Sequence, residues 1–386
     1  MRITQRMDQN TKWIYRRNRT SIYQQEFPMK TLKSYHREQL NKMKKIKRTI
    51  FGVLGVLVIL SVFIFIKMYK SIIYPNTITK GNYSLYIYST DDFETVKNQL
   101  YSDSIIINKK SFEWLAKKLD YPKYIKSGHY VIKNNMNNNQ LLNMLRSGSQ
   151  TPVKFTFNNI RTLEQLASRI DEQLEIDSLS FLNAVKSNST LKEMGFNNNN
   201  YASLFIPNTY ELYWNINAED FVEKMINQYN RFWNKDRLNK AKTLNMTPIN
   251  VSILASIVDK ETTKTSEMPR IAGVYINRLK NNWPLQADPT LVFAIGDFEI
   301  KRVLDIHKEI DSPYNTYKHI GLPPGPICIP SIAAIDAVLN AEQHKYFYFC
   351  AKDDMSGYHV FAKNMREHNI NAEKYRKALN KKKIWK

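Results

Sequence analysis

Apolar residues are distributed along this chain in two distinct ways. From Ile50 to Ile66 the sequence IFGVLGVLVILSVFIFI runs for 17 residues without a charge or strongly polar group. As a helix rising about 1.5 Å per residue it reaches roughly 25 Å, close to the hydrocarbon thickness of a bilayer. Lys67, Tyr69 and Lys70 stand where they can anchor at the interface. The pattern predicts a single transmembrane helix over 49–70. Lys42, Lys44, Lys45, Lys47 and Arg48 precede it and no small-residue cleavage site follows. Basic residues stay on the cytoplasmic side, so an uncleaved anchor is expected, with its N-terminus in the cytoplasm and everything from about Ile72 outside.

Beyond the anchor the apolar positions become periodic. After a tether over 71–82 through Pro75, Tyr83 to Tyr88 alternates as a strand does. Asp91-Asp92-Phe93-Glu94 reads as a helix start before Val96 and Leu100, and Ser111 as the cap of a second helix carrying Phe112, Trp114, Leu115 and Leu119. Gly128 to Ile132 closes the unit as another strand. This strand, helix, helix, strand order over 83–150 resembles a LysM-like module, a fold associated with binding N-acetylglucosamine-containing polymers.

From 151 to 380 helices dominate. Val153 to Phe157 reads as a strand, Thr162 to Leu174 as an amphipathic helix, and Phe221 to Phe232 as another. Thr247-Pro248 opens a strongly apolar helix over Ile249 to about Thr262, and Ser266 is placed to cap the next, with Glu267 and Pro269 in its first turn. The asparagine tracts Asn134 to Asn139 (interrupted by Met136) and Asn197 to Asn200 read as loops without chemistry. The expected fold class is α+β.

The net charge of +22 first suggests nucleic acid. Residues 1–48 alone hold 14 Lys and Arg against Asp8, Glu26 and Glu38, so half of the excess precedes the anchor. Outside the cytoplasm the rest of the basic surface meets anionic wall polymer or membrane rather than DNA, and no nucleic-acid partner is expected. Met43 to Arg48 would by itself make a short start before an anchor. Either Met43 is the true start, or residues 1–42 extend the basic cytoplasmic tail over 1–48 as an unstructured stretch. The two cysteines, Cys328 and Cys350, lack CxxC spacing and allow one optional bridge at most.

No Walker loop, GxGxxG, HExxH or GxSxG occurs. The polar interruption ending the apolar helix, Asp259-Lys260-Glu261, sets a carboxylate beside an apolar wall. Two positions apart on a helix, Asp259 and Glu261 point about 200° apart and cannot serve one bond together. Glu261 follows Ile257 and Val258 at i+4 and i+3, so geometry leans towards it, although an ordinary solvated terminal carboxylate is equally compatible with the pattern. Further on, Asn277-Arg278, Leu285 to Thr290 and Ser312 to Tyr317 string amides, carboxylates and aromatics together, as a carbohydrate groove does and as turns also do.

Taken together, LASIVDKET from Leu254, Val274-Tyr275-Ile276-Asn277-Arg278-Leu279, Leu285-Gln286-Ala287-Asp288-Pro289-Thr290, Tyr314-Asn315-Thr316-Tyr317 and Gly321-Leu322-Pro323-Pro324-Gly325-Pro326-Ile327 resemble the endolytic murein transglycosylases of the MltG (YceG-like) type. Tyr346 to Phe349, His359-Val360-Phe361 and His368-Asn369 extend the likeness, as does Leu204 to Tyr210 upstream. Asp259 stands where such enzymes often carry glutamate, and Asn208 where they carry aspartate. The resemblance implies a YceG-like catalytic domain over 151–380, with Glu261 as catalytic acid and Gln286, Asp288, Tyr314, Asn315 and Tyr317 binding sugar. It implies cleavage of peptidoglycan glycan strands near their synthases, leaving 1,6-anhydro ends, with no metal and no organic cofactor. Pro323 to Pro326 is expected to shape a rigid loop. A muramidase, using Asp288 or Glu267 to activate water, and a non-catalytic wall-binding scaffold are the alternatives.

Overall fold

The computed structural model describes residues 29–300 and 302–381 and divides after Ser71 into two units. In the first, α1 (Met29–Ile73) is a 45-residue helix whose apolar side chains between Ile50 and Ile66 are exposed. Among the described residues it is the one helix long and apolar enough to cross a membrane. Residues 29–42, expected to lack structure, belong to it. No Gly or Pro falls between Met29 and Phe51, so a helix once nucleated in the apolar run extends through the Lys- and Arg-rich stretch at little cost. Residues 1–28 of that tail lie outside the described residues.

The second unit holds two apolar clusters. The first is built on β1 (Tyr83–Ile87), α2 (Phe93–Ser102), α3 (Lys109–Lys118), β2 (Gly128–Ile132) and α4 (Asn138–Ser147). β1 and β2 pair antiparallel, Leu85 opposite Tyr130. Leu85, Ile87, Phe112 and Leu141 are among the side chains buried beneath them. Asp92 caps α2 by accepting the Thr95 N–H, as its position predicts. α3 is capped by Asn108 and not by Ser111, which lies in the first turn and donates its own N–H to Asn108.

Two further expectations change here. Residues 75–78 are no free tether: Asn76 and Thr77 are buried, Asn76 Nδ2 donating to Asn138 Oδ1 at 2.6 Å and Thr77 Oγ1 to the Lys133 carbonyl at 2.9 Å. Buried polar groups need partners, and these partners fix the segment in place. The tract Asn134 to Asn139 is likewise only partly loop. Asn137 and Gln140 form a capping box that starts α4, drawing Asn138 and Asn139 into helix.

The second cluster takes in β3 (Val153–Thr156), α5 (Leu163–Gln173), α6 (Ser178–Ser187), α7 (Ser189–Glu193), β4 (Thr209–Leu212), α8 (Ala218–Phe232) and α9 (Lys235–Thr243). It continues through α10 (Pro248–Glu261), α11 (Met268–Lys280), α12 (Asp288–Ile295) and α13 (Ile332–Leu339) to β5 (Tyr348–Ala351) and β6 (His359–Ala362), on which α14 (Met365–Lys381) lies. β3 pairs with β4 and β5 with β6, both antiparallel, so each sheet is a two-stranded ribbon stabilised by the helices packed on it. The architecture is mixed helix and strand, as expected. α10 is the central member: every side chain from Val251 to Val258 is buried, and α11, α12 and α13 pack around it. Gly273 lets α11 come close to the chain at 342–344, since a Cβ there would sit 2.3 Å from the Glu342 carbonyl oxygen. Cys328 and Cys350 are free thiols, so the optional bridge is not formed.

Candidate active site

α10 begins where Thr247 accepts the Asn250 N–H and Pro248 occupies the first turn. Of its two buried serines, Ser252 and Ser256, Ser256 is satisfied twice, donating to the Ile253 carbonyl at 2.7 Å and accepting the Ile327 N–H at 3.0 Å. The segment after the Pro323–Pro326 loop is thereby fastened to the helix. At the C-terminal end the two carboxylates part company, as the helical angle requires. Asp259 accepts a hydrogen bond from Ser331, the residue that caps α13, and so joins two helices. Glu261 turns the other way, into a cleft of about 1260 Å³.

That cleft is lined by Arg161, Lys260, Glu261, Asp288, Tyr375 and Arg376 among others, bringing the ends of α10, α12 and α14 together. It exceeds the roughly 300–1,000 Å³ of pockets for drug-sized ligands and suits a segment of polymer. Lys260 is held by Asn159 Oδ1 at 2.8 Å, and Arg161 lies 4.6 Å over the Phe298 ring. Burial pushes the Glu261 carboxyl from its ordinary 4.5 up to about 7; a hydrogen bond from Tyr275 opposes this, the charge of Asp288 adds to it, and Arg278 opposes it.

Tyr275 and Arg278 sit three apart on α11 and therefore on one face. Tyr275 is fully buried and its hydroxyl donates to Glu261 Oε1. Burial and the adjacent Glu261 push that phenol well above 10, so it is a donor at any physiological pH. Arg278, also buried, spends its Nε on the Phe347 carbonyl at 2.8 Å and its Nη1 on the Leu285 carbonyl at 2.6 Å. Asn277 likewise donates to the His344 and Tyr346 carbonyls, both at 2.9 Å. The Asn277-Arg278 pair is thus engaged with backbone and not with a groove. Sequence reasoning missed Tyr275; the signal was a tyrosine on the buried face of a helix next in sequence to the one bearing the carboxylate.

The other expected site residues fall into three groups. Asp288, exposed at the start of α12, lines the cleft and accepts from the Tyr317 hydroxyl at 2.5 Å, so these two belong together. Gln286 is exposed with φ of +50°, its N–H donating to the Thr316 carbonyl at 2.9 Å, and Tyr314 packs 4.8 Å from Phe293; neither lines the cleft. Asn315 is 0% exposed, its amide donating to the Lys308 and Ile310 carbonyls at 2.8 and 2.9 Å and its oxygen accepting the Tyr317 N–H. It has no surface to offer a ligand, and it shapes the loop that carries Tyr317. The Thr290 and Thr316 hydroxyls, 2.9 Å apart, lock that loop to the first turn of α12, which bears Asp288. Glu267, the other carboxylate considered for activating water, is 6% exposed and turned to His359, whose N–H and Nδ1 it meets at 2.8 Å each.

Among curated proteins the chain is 30% identical over 327 residues to an endolytic murein transglycosylase of Bacillus subtilis, covering 79% of this chain and 88% of that one. It is 28% identical over 295 residues to the endolytic murein transglycosylase of Streptococcus pneumoniae strain D39, covering 68% of this chain and 53% of the relative. The crystal structure of a YceG-like protein from Listeria monocytogenes superposes with a TM-score of 0.51 at 26% identity, covering 76% of this chain and 99% of the other. The profile of the YceG-like family matches residues 85–374, a span that includes the Glu261 cleft, and the chain belongs to that family.

Proposed function

We propose that the protein is a membrane-anchored endolytic lytic transglycosylase that cuts the β-1,4 bond between N-acetylmuramic acid and N-acetylglucosamine in peptidoglycan glycan strands. The observation that carries the reading is a single carboxyl group, Glu261, held at about 7 by burial at the edge of a cleft large enough for polymer. A group so tuned can give a proton and take one back near neutral pH.

In the first step Glu261 protonates the glycosidic oxygen as the C1–O bond breaks, and positive charge develops on the muramyl ring. Asp288, oriented by Tyr317, is the nearby negative group that stabilises this charge. In the second step the muramyl C6 hydroxyl attacks C1 and gives its proton to the Glu261 carboxylate. A 1,6-anhydro ring forms, the acid is regenerated, and no water is consumed. An internal hydroxyl acts at an effective concentration of about 10⁵ M or more when aligned, so a second carboxylate to activate water is not required. With Glu267 occupied by His359, Asp288 is the carboxylate left in the cleft for a hydrolytic alternative.

The apolar stretch of α1 anchors the enzyme in the cytoplasmic membrane, N-terminus inside, so that the cleft works on nascent glycan beside the synthases and cuts short strand elongation. The unit around β1 and β2 acts as a LysM-like contact to the same polymer. Mass spectrometry of purified glycan strands treated with the full chain, with Glu261→Gln as control, tests the proposal. Products ending in 1,6-anhydro-N-acetylmuramic acid, absent with the variant, support it; reducing ends would replace it with hydrolysis, and binding without cleavage with a scaffold.

A further inference from the structure

Glu261 meets charged and titratable groups from several elements. Asp288 approaches from α12, Arg278 and Tyr275 from α11, and Lys260 precedes it on α10; Arg161, Arg302 and Arg376 share the cleft. Asp288 is engaged by Tyr317, and Arg278 by two backbone carbonyls. The side chain that donates directly to Glu261 is Tyr275, 1% exposed and fixed by an edge-on contact with Phe349 at 5.9 Å.

A neutral carboxyl has one O–H and one carbonyl oxygen, and a phenol that cannot ionise is held as a donor. An O–H delivered to Oε1 makes Oε1 the carbonyl oxygen of the protonated acid, so the transferable proton resides on Oε2. Once that proton has left, the same O–H becomes a charge-assisted bond to the carboxylate, which the apolar surroundings otherwise disfavour. We infer that Tyr275 is a positioning residue for Glu261, assigning the acidic proton to Oε2 and stabilising the carboxylate that must accept the C6 hydroxyl proton. The inference rests on the reading of Glu261 as acid and base given above. It gives the hydroxyl a role that packing alone does not require, because phenylalanine fills the same space.

Tyr275→Phe in the full chain, in detergent micelles, is the test. Glu261 must be protonated to start the reaction, so the rate falls as pH rises through its pKa. Loss of a bond that favours the carboxylate raises that pKa and moves the basic limb of the pH–rate profile upward by about one to two pH units. The Glu261 carboxyl carbon, followed by NMR in protein labelled at glutamate Cδ and identified by its loss in Glu261→Gln, titrates with the same upward shift. Placing 3-fluorotyrosine at 275, a stronger donor, moves both readouts downward and decides the matter if the phenylalanine variant does not fold. A midpoint and a limb unchanged by either substitution would reduce Tyr275 to packing. If the unsubstituted protein cleaves no glycan, the functional reading fails while the NMR midpoint still decides the role of Tyr275.

Discussion

Replacing Glu261 by glutamine is expected to make the protein more stable, and only above acid pH. In the unfolded chain this carboxyl loses its proton near 4.5; in the folded protein, burial and then Asp288 hold the proton until about 7. Between those values the unfolded state binds fewer protons than the folded one, so stability falls as pH rises. The contribution is complete below 4.5 and lost above 7. At about 1.4 kcal/mol per unit the shift amounts to about 3 kcal/mol, an upper value because one side of Glu261 faces the cleft and its water. Glutamine is isosteric, cannot ionise, and still accepts the Tyr275 hydrogen bond. Thermal unfolding of the full chain in detergent, followed by the fluorescence of the buried Trp214 and Trp233, should therefore give equal stability for both proteins near pH 4 and a variant more stable by up to about 3 kcal/mol at pH 8. A difference that does not grow with pH, or a less stable variant at pH 8, would refute the claim that Glu261 is held protonated by its surroundings.

Asp288→Asn removes a negative charge that raises the Glu261 pKa, so the basic limb of the pH–rate profile should move to lower pH, and initial rates of glycan cleavage across pH 5 to 9 measure it. A limb that does not move would mean that Asp288 is too well screened to act on Glu261. Burial pushes the Cys328 thiol up to about 12. A thiol reagent at pH 8 should then label the half-buried Cys350 first, and Cys328 only once the protein is unfolded, as peptide mapping of the labelled chain would reveal.

What the sequence by itself determined is what local geometry controls. An uninterrupted apolar run makes a helix fit for a membrane; Asp92, Thr162 and Thr247 cap the helices they precede because a short side-chain oxygen reaches the N–H three residues on. That Asp259 and Glu261 point apart follows from the angle between successive helical positions; Asp259 turns to Ser331 and Glu261 lines the cleft. Ser111 and Ser266 misled because neighbouring residues could equally start those helices, and the N–H groups available in three dimensions favoured Asn108 in one case and left the other start without a side-chain cap. β4, β5 and β6, four residues each, exist through partners brought near by the chain's path.

Only the tertiary structure decided which polar groups are free. Asn315, Asn277 and Arg278 carry the chemistry of a sugar site yet satisfy buried carbonyls, Asn76 leaves its tether to pair with Asn138, and Glu267 is claimed by His359. Tyr275 meets Glu261 because α10 and α11 pack side by side. Periodicity says which face of a helix is buried. Which hydrogen-bond partner a polar side chain finds there depends on chain distant in sequence, and burial, which raises the cost of an unpaired group, makes that partner decisive.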